Sequence, residues 1–181
     1  IGRVATMLEA HDEAVSAAVR SDFGSLHPAM VVMLDTLPVT DRAAYFAEHL
    51  GAWLEPRRVA LGPEHGSSHA EIIRVPKGVN GNIAPWNFPI ESALVMTVDM
   101  LAAGNTVIVK PSELAPATAE LLATMVPEHF APEEFAVVQG GAEVAQAFAA
   151  MPWDHLTYTG GGRVGRLVAE AAARNLVPCT L

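Results

Sequence analysis

The sequence predicts an α/β protein, a parallel sheet with helices on both faces, preceded by N-terminal helices and a small hairpin. From Val79 onward, short apolar or β-branched segments alternate with helix-length segments. Small glycine- or proline-containing motifs follow directly after these strand segments. Strands that alternate with helices form βαβ units, whose right-handed crossovers cover both faces of a parallel sheet.

The alternation defines each element in order. Ala103, Gly104 and Asn105 end one helical segment, and a β-branched run beginning at Thr106 follows it. The predicted strands are 79–84, 106–110, 135–138, 155–158 and a last one from about 177. The predicted helices between them are 89–103, 116–126, 142–150 and 163–174.

The first third of the chain reads as helical. Apolar residues fall on one face of 3–20, and Gly24 is a plausible stop signal. A second helical region follows Pro28, and we expect Pro38 to break it before a helix resumes over 45–53. The residues 62–68 form a loop by composition, and a small hairpin is expected from 58 to 75. The expected divisions are 1–56, a bridging segment 57–78, and an α/β domain 79–181.

Composition excludes several classes of protein. The 181 residues are 51% hydrophobic, which is enough for a sizeable core. A net charge of −9 argues against a nucleic-acid partner, because phosphates require a basic surface. No apolar run has the roughly 18–20 residues of a membrane span. The single cysteine fits a reducing compartment, so a cytoplasmic location is expected. Since the chain opens at Ile1 without a methionine, we expect further residues before it.

The motifs that follow the strands predict a ligand site. They include 85–89 (PWNFP), 110–113 (KPSE), 139–141 (QGG) and 159–161 (TGG). In an open parallel sheet, ligands bind beyond the carboxyl ends of the strands. The sequence therefore predicts that these loops converge at one edge of the sheet and bind a cofactor there.

The same motifs resemble those of the NAD(P)-dependent aldehyde dehydrogenase superfamily. Further resemblance lies in 134–141, in 154–161 and in 175–181, while 21–24 and 55–58 are similar to the coniferyl aldehyde dehydrogenase-like branch. The match covers nearly the whole chain. It implies a Rossmann-like fold that binds NAD, a homo-oligomeric parent enzyme, and oxidation of a small-molecule aldehyde, aryl or fatty, to a carboxylic acid.

The resemblance assigns roles to the residues of the PWNFP loop. Asn87 would stabilise the oxyanion of a tetrahedral intermediate, while Ala84, Pro85 and Trp86 would line the cofactor groove. Two simpler interpretations stay open from the residues alone. Asn87 could cap the following helix, since asparagine is a favoured N-cap, and Trp86 could belong to the core.

The KPSE motif is the most diagnostic. In the family, the lysine and glutamate equivalent to Lys110 and Glu113 hold the adenosine ribose, and Ser112 joins the cofactor-binding set. A carboxylate at this position repels a 2′-phosphate, which favours NAD over NADP. The alternative is that this Pro-Ser-Glu sequence caps the helix that follows Pro116.

The glycine turn departs from the family pattern. Residues 160–165 match G-x-G-x-x-G, and such a turn can present backbone N–H groups to a pyrophosphate. The family has serine and often threonine where Gly161 and Gly162 stand, and Arg163 is expected on the solvent face. The cofactor-binding residues predicted here by resemblance are Gly140, Tyr158, Gly160, Gly161 and Val164.

Two other candidates carry less weight. His65 and His69 lie in a loop without a third ligand, and no metal site is predicted. By resemblance, Cys179 stands where the family has an apolar residue, and we expect it to be a small buried side chain.

The family's general-base glutamate would follow Leu181, and its nucleophilic cysteine would lie further on. The chain is therefore expected to be the cofactor-binding part of the enzyme, inactive alone, with the catalytic domain absent. Two alternatives stay open, a non-catalytic nucleotide-binding module and an NADPH-dependent acyl-phosphate reductase of the same fold. A natural sequence continuing as E-L-G-G-K after Leu181 would favour the dehydrogenase.

Overall fold

The framework of the molecule is a five-stranded parallel sheet in the order β5-β4-β3-β6-β7. The computed structural model describes residues 1–181. The strands are β3 (Val79–Ile83), β4 (Thr106–Lys110), β5 (Phe135–Val137), β6 (His155–Tyr158) and β7 (Cys179–Thr180). The helices between them are α5 (Pro89–Ala102), α6 (Pro116–His129), α7 (Ala142–Ala149) and α8 (Gly162–Ala173). The predicted α/β architecture is confirmed.

Helices cover both faces because the apolar strand residues alternate in direction. Val107 and Val109 of β4 belong to one core with α5, α6 and the N-terminal helices, whereas Ile108 contacts the second core. That second core contains Phe148 of α7, Trp153 and Val168 of α8. Successive side chains of β4 therefore point to opposite faces of the sheet, and each face packs into one of the two cores.

The N-terminal helices are α1 (Gly2–Ala10), α2 (Asp12–Phe23), α3 (Pro28–Val31) and α4 (Leu37–Leu54). The helix expected over 3–20 is divided at His11, whose N–H bonds to the carbonyl of Leu8 rather than that of Met7. The break expected at Pro38 is wrong. Pro38 is the second residue of α4 and closely follows a π-helical segment (Val32–Thr36) that connects α3 to α4, so the chain stays helical through this proline.

The small hairpin lies where it was expected. Strand β1 (Arg57–Val59) pairs antiparallel with β2 (Ala70–Ile72) across a 3₁₀ turn at Pro63–His65. The C-terminal strand is shorter than predicted, and Cys179 within it is exposed. The expectation that this thiol is buried is wrong for this chain, because β7 is an edge strand that pairs only with β6. None of the helices is long and apolar enough to cross a membrane.

Two aspartates from the N-terminal helices cap two helices of the α/β layer. Asp22 of α2 accepts hydrogen bonds from the backbone N–H groups of Ala117 and Thr118 at the start of α6, both at 2.9 Å. Asp35 accepts from the N–H groups of Ile90 and Glu91 in α5, at 3.1 and 3.2 Å. Neither helix has a cap from its own N-terminal residue. The carboxylates therefore satisfy N–H groups at the positive ends of both helix dipoles.

Replacing Asp22 by alanine should lower the free energy of unfolding by about 1–2 kcal/mol, the usual cost of losing a helix cap. The variant also frees the Thr118 hydroxyl, which donates to Asp22 at 2.7 Å. Urea denaturation of the chain measures the loss. Asp41→Ala removes an exposed aspartate on α4 and serves as control. Equal losses in the two variants would show that the cap contributes nothing.

Asp35 should make stability depend on pH. Burial raises the pKa of Asp35, although the N–H groups of Glu91 and Ile90 oppose the rise. The folded state then binds a proton at a higher pH than the unfolded chain does, so this contribution to stability is present below pH about 4 and is lost as pH rises. Asp35→Asn keeps an oxygen acceptor without the charge.

We therefore expect Asp35→Asn to gain stability relative to the wild type as pH rises from about 4 through the folded-state pKa of Asp35. Chemical denaturation of both proteins across that range is the measurement. If the difference in unfolding free energy between the two proteins stays constant with pH, or changes in the opposite direction, the raised pKa of Asp35 would be contradicted.

Candidate cofactor-binding site

A cavity of about 800 Å³ opens between β3 and β6, beyond the carboxyl ends of the strands. From β3 the chain moves outward through β4 to β5, then crosses to β6 and β7 on the other side. The cavity thus lies at the topological switch point, where open α/β sheets bind ligands. All of the predicted site residues except Gly140 line it: Ala84, Pro85, Trp86, Asn87, Lys110, Ser112, Glu113, Tyr158, Gly160, Gly161 and Val164.

An ion pair between a buried lysine and an exposed glutamate forms one wall of the cavity. Lys110 is only 1% exposed, and its Nζ donates to the carbonyl of Pro111 at 2.7 Å and to Oε2 of Glu113 at 3.1 Å. An ammonium has three donors, so one remains for a ligand. Partial burial of Glu113 opposes ionisation, but a backbone N–H and the nearby Lys110 hold its pKa below the ordinary value. Glu113 thus faces the cavity as an anion and does not cap α6.

The PWNFP loop leaves the Asn87 amide exposed at the cavity. The N-cap residue of α5 is Phe88, and no side chain of this loop caps the helix, since Asp35 provides that contact. Trp86 is 51% exposed and its ring stacks on Phe23 of α2 at 6.2 Å. The simpler interpretations of both residues, a helix cap and a core aromatic ring, are therefore not what the structure shows.

The glycine turn presents an open helix N-terminus to the same cavity. Gly161 is the N-cap residue of α8, and no side chain bonds to the first N–H groups of this helix. A Cβ at Gly160 would come within 2.2 Å of the Tyr158 hydroxyl, so a side chain there would require the Tyr158 ring to move. That hydroxyl donates to the Gly161 carbonyl at 3.3 Å, and burial raises the pKa of Tyr158. Unpaired N–H groups and the helix dipole make this end suitable for an anion.

Sequence reasoning missed an apolar cleft of about 340 Å³ between α7 and α8. It joins the main cavity through residues that both contain, including Ile83, Glu113, Tyr158 and Val164. Its remaining walls come from small or aliphatic residues on facing helices: Ala142, Ala145, Ala149, Leu167, Val168 and Ala171. No motif marks these residues, because apolar residues on an amphipathic helix ordinarily indicate only core packing.

The structure also shows where three other residues considered in the sequence analysis lie. Gly140 lies outside the main cavity, in an adjacent depression of about 300 Å³ that shares Glu113 with it. Arg163 is exposed as expected, but it also borders the cleft between α7 and α8. His65 lies 3.4 Å from Glu64 on the exposed hairpin.

Comparison with known proteins agrees with this geometry. The sequence model of the aldehyde dehydrogenase family matches residues 1–181. A probable coniferyl aldehyde dehydrogenase of Caulobacter vibrioides is 39% identical over 184 residues, covering 100% of this chain and 38% of that relative. The chain therefore spans somewhat more than a third of this relative's length.

Solved structures share the fold. Staphylococcus aureus AldH in a substrate-bound state superposes with a TM-score of 0.95 at 26% identity, covering 99% of this chain and 39% of that one. A Mycobacterium tuberculosis aldehyde dehydrogenase complexed with NAD+ has a TM-score of 0.83 at 32% identity, with coverages of 99% and 37%. Together with the family match over every residue, these likenesses establish that the chain belongs to the aldehyde dehydrogenase family.

Proposed function

We propose that this chain is the cofactor-binding part of an NAD-dependent aldehyde dehydrogenase that oxidises an aldehyde, aryl or fatty, to the carboxylic acid. The observation that carries the proposal is the Lys110–Glu113 pair facing an uncapped α8 N-terminus across one cavity. One wall offers a charged pair suited to sugar hydroxyls, and the other offers N–H groups suited to phosphate. A dinucleotide needs both.

The two connected spaces fit the parts of a dinucleotide. The main cavity, of about 800 Å³, and the cleft, of about 340 Å³, each fall within the volume range of small-molecule sites. Glu113 would accept hydrogen bonds from the adenosine ribose hydroxyls, with the free donor of Lys110 beside it. The adenine ring would enter the cleft between Ala145 and Leu167, and the pyrophosphate would meet the first N–H groups of α8.

Asn87 supplies the chemistry at the other end of the cavity. Its exposed amide would donate to the oxygen of the aldehyde as that oxygen gains negative charge, and one such donor contributes about 3–4 kcal/mol. When bound, NAD would accept the hydride that leaves the substrate carbon. The nucleophile and the general base would come from outside the described residues, because Cys179 lies on edge strand β7 and does not line this cavity.

The proposed substrate class, an aryl or fatty aldehyde, rests on the coniferyl aldehyde dehydrogenase relatives, which match the chain over its whole length. The choice of NAD rests on charge. An ionised Glu113 beside the ribose repels a 2′-phosphate, and Lys110 is already engaged by the glutamate and by the Pro111 carbonyl.

We expect the chain to bind NAD at least tenfold more tightly than NADP, a difference of about 1.4 kcal/mol. Glu113→Gln should reduce the difference in affinity between NAD and NADP, because it removes the negative charge that faces the 2′ position of the ribose. Titration calorimetry with each cofactor measures both affinities. Glu133→Gln makes the same charge change at the amino end of β5, away from the cavity, and should leave the ratio unchanged. Tighter binding of NADP by the unaltered chain would refute the assignment.

The 181-residue chain should not catalyse NADH formation from an aromatic aldehyde even while it binds the cofactor. Loss of a covalent nucleophile and its base typically lowers the rate by about a million-fold. The assay compares purified chain of verified mass with its Cys179→Ala variant and with the full-length natural protein. Turnover by the chain that disappears in Cys179→Ala would identify this thiol as the nucleophile. Absence of activity in the full-length protein would instead favour a non-catalytic nucleotide-binding module.

A further inference from the structure

Three potential metal ligands meet on the surface away from the cofactor cavity. His11 lies at the junction of α1 and α2, and Glu128 and His129 are the last two residues of α6. One ligand atom of each side chain lies within 4.8 Å of the others. The cavity lies near the start of α6, so the length of this 14-residue helix separates the two places by about 20 Å.

The hydrogen bonds of His11 leave one nitrogen directed at a carboxylate. Nδ1 lies 2.9 Å from the Met7 carbonyl, and since a carbonyl only accepts, Nδ1 carries the hydrogen. Nε2 then faces Oε2 of Glu128 at 3.2 Å. In the neutral imidazole this places a lone pair against a carboxylate oxygen. The contact is favourable only with a cation between the two groups, either a proton on Nε2 or a metal ion.

The surroundings match those of a metal ligand. Histidines that bind metals usually donate their other ring N–H to a carbonyl or carboxylate, as His11 does to Met7. In a tetrahedral zinc site with bonds near 2.0 Å, neighbouring ligand atoms are about 3.3 Å apart, which the His11–Glu128 separation already approaches. The rings of His11 and His129 are 5.4 Å apart between centroids and nearly perpendicular, and one nitrogen of each lies within 4.8 Å of the other and of a Glu128 oxygen.

The local charge also favours a dication. The site lies in the last turn of α6, at the negative end of its dipole. The nearest guanidinium, that of Arg3, donates to the His129 carbonyl and is neutralised by its ion pair with Glu134. No lysine or arginine forms an ion pair with Glu128, whose carboxylate lies beside the two imidazoles. The Glu128 side chain is 63% exposed, so an ion can enter from solvent.

We propose that His11, Glu128 and His129 form a site for a divalent transition-metal ion of the zinc type, with water completing the coordination. Imidazole and carboxylate donors suit zinc, copper and nickel rather than calcium. A bound ion joins the α1–α2 junction to the end of α6. It therefore stabilises the packing of the N-terminal helices on the α/β layer.

The experiment titrates the metal-free 181-residue chain with Zn²⁺ by calorimetry and records the melting temperature with Zn²⁺ and with EDTA. We expect one site with Zn²⁺ and a higher melting temperature in its presence. Co²⁺ should give the visible absorption bands of a tetrahedral site. His11→Gln and His129→Gln should each lower Zn²⁺ affinity at least tenfold and remove most of the thermal shift.

Two variants keep the test decisive. Glu128→Gln changes an exposed side chain without disturbing packing, so a weakened site there cannot be attributed to misfolding. The double variant His65→Gln, His69→Gln removes the two histidines of the hairpin and should leave Zn²⁺ binding unchanged. Equal Zn²⁺ affinity in wild type, His11→Gln and Glu128→Gln would overturn the proposal. So would a chain that binds no Zn²⁺.

Discussion

The contact between two N-terminal carboxylates and the starts of α5 and α6 is the interaction on which the site depends. Helix α5 begins where the PWNFP loop ends, and α6 begins just after KPSE. Asp35 fixes the first of these helices and Asp22 the second. Because both carboxylates come from outside the parallel sheet, the orientation of the loops that carry Asn87 and Glu113 depends on how the N-terminal helices pack.

The same contacts limit where the main cavity can attract a ligand anion. Four helices, α5, α6, α7 and α8, begin beyond the carboxyl ends of the strands, and each has a positive N-terminus. The starts of α5 and α6 are already capped by aspartates of the chain, whereas α7 and α8 have no side-chain cap. The start of α7 borders the adjacent depression rather than the main cavity. A phosphate in the main cavity would therefore find one open helix end, that of α8, in the same cavity as Glu113, an anion that repels phosphate.

The sequence predicted the sheet and its helices because each depends on local chemistry, and the resemblance to the family supplied most of the residues that line the cavity. The hydrophobic periodicity that identifies a strand or a helix depends only on nearby residues. The rule that loops after parallel strands lie at one edge of the sheet also needs only the order of the elements. The caps could not be predicted, since Asp22 and Thr118 are separated by 96 positions and no short motif joins them. The cleft was missed because Ala145 and Leu167 look like ordinary core residues. The exposure of Cys179 follows from strand order, which the pattern of strands alone leaves open.

The glycine turn shows which glycines the backbone requires and which the chain merely tolerates. At Gly160 a side chain would collide with the Tyr158 hydroxyl, so glycine is needed to keep the Tyr158 ring in this position. At Gly161 and Gly162 an added Cβ meets nothing within 4 Å, and the φ of Gly161 is −72°, which any residue can adopt. The structure would accept the serine and threonine typical of the family at these two positions. The phosphate recognition proposed for this turn would therefore rest on backbone N–H groups and the α8 dipole, without help from hydroxyl side chains.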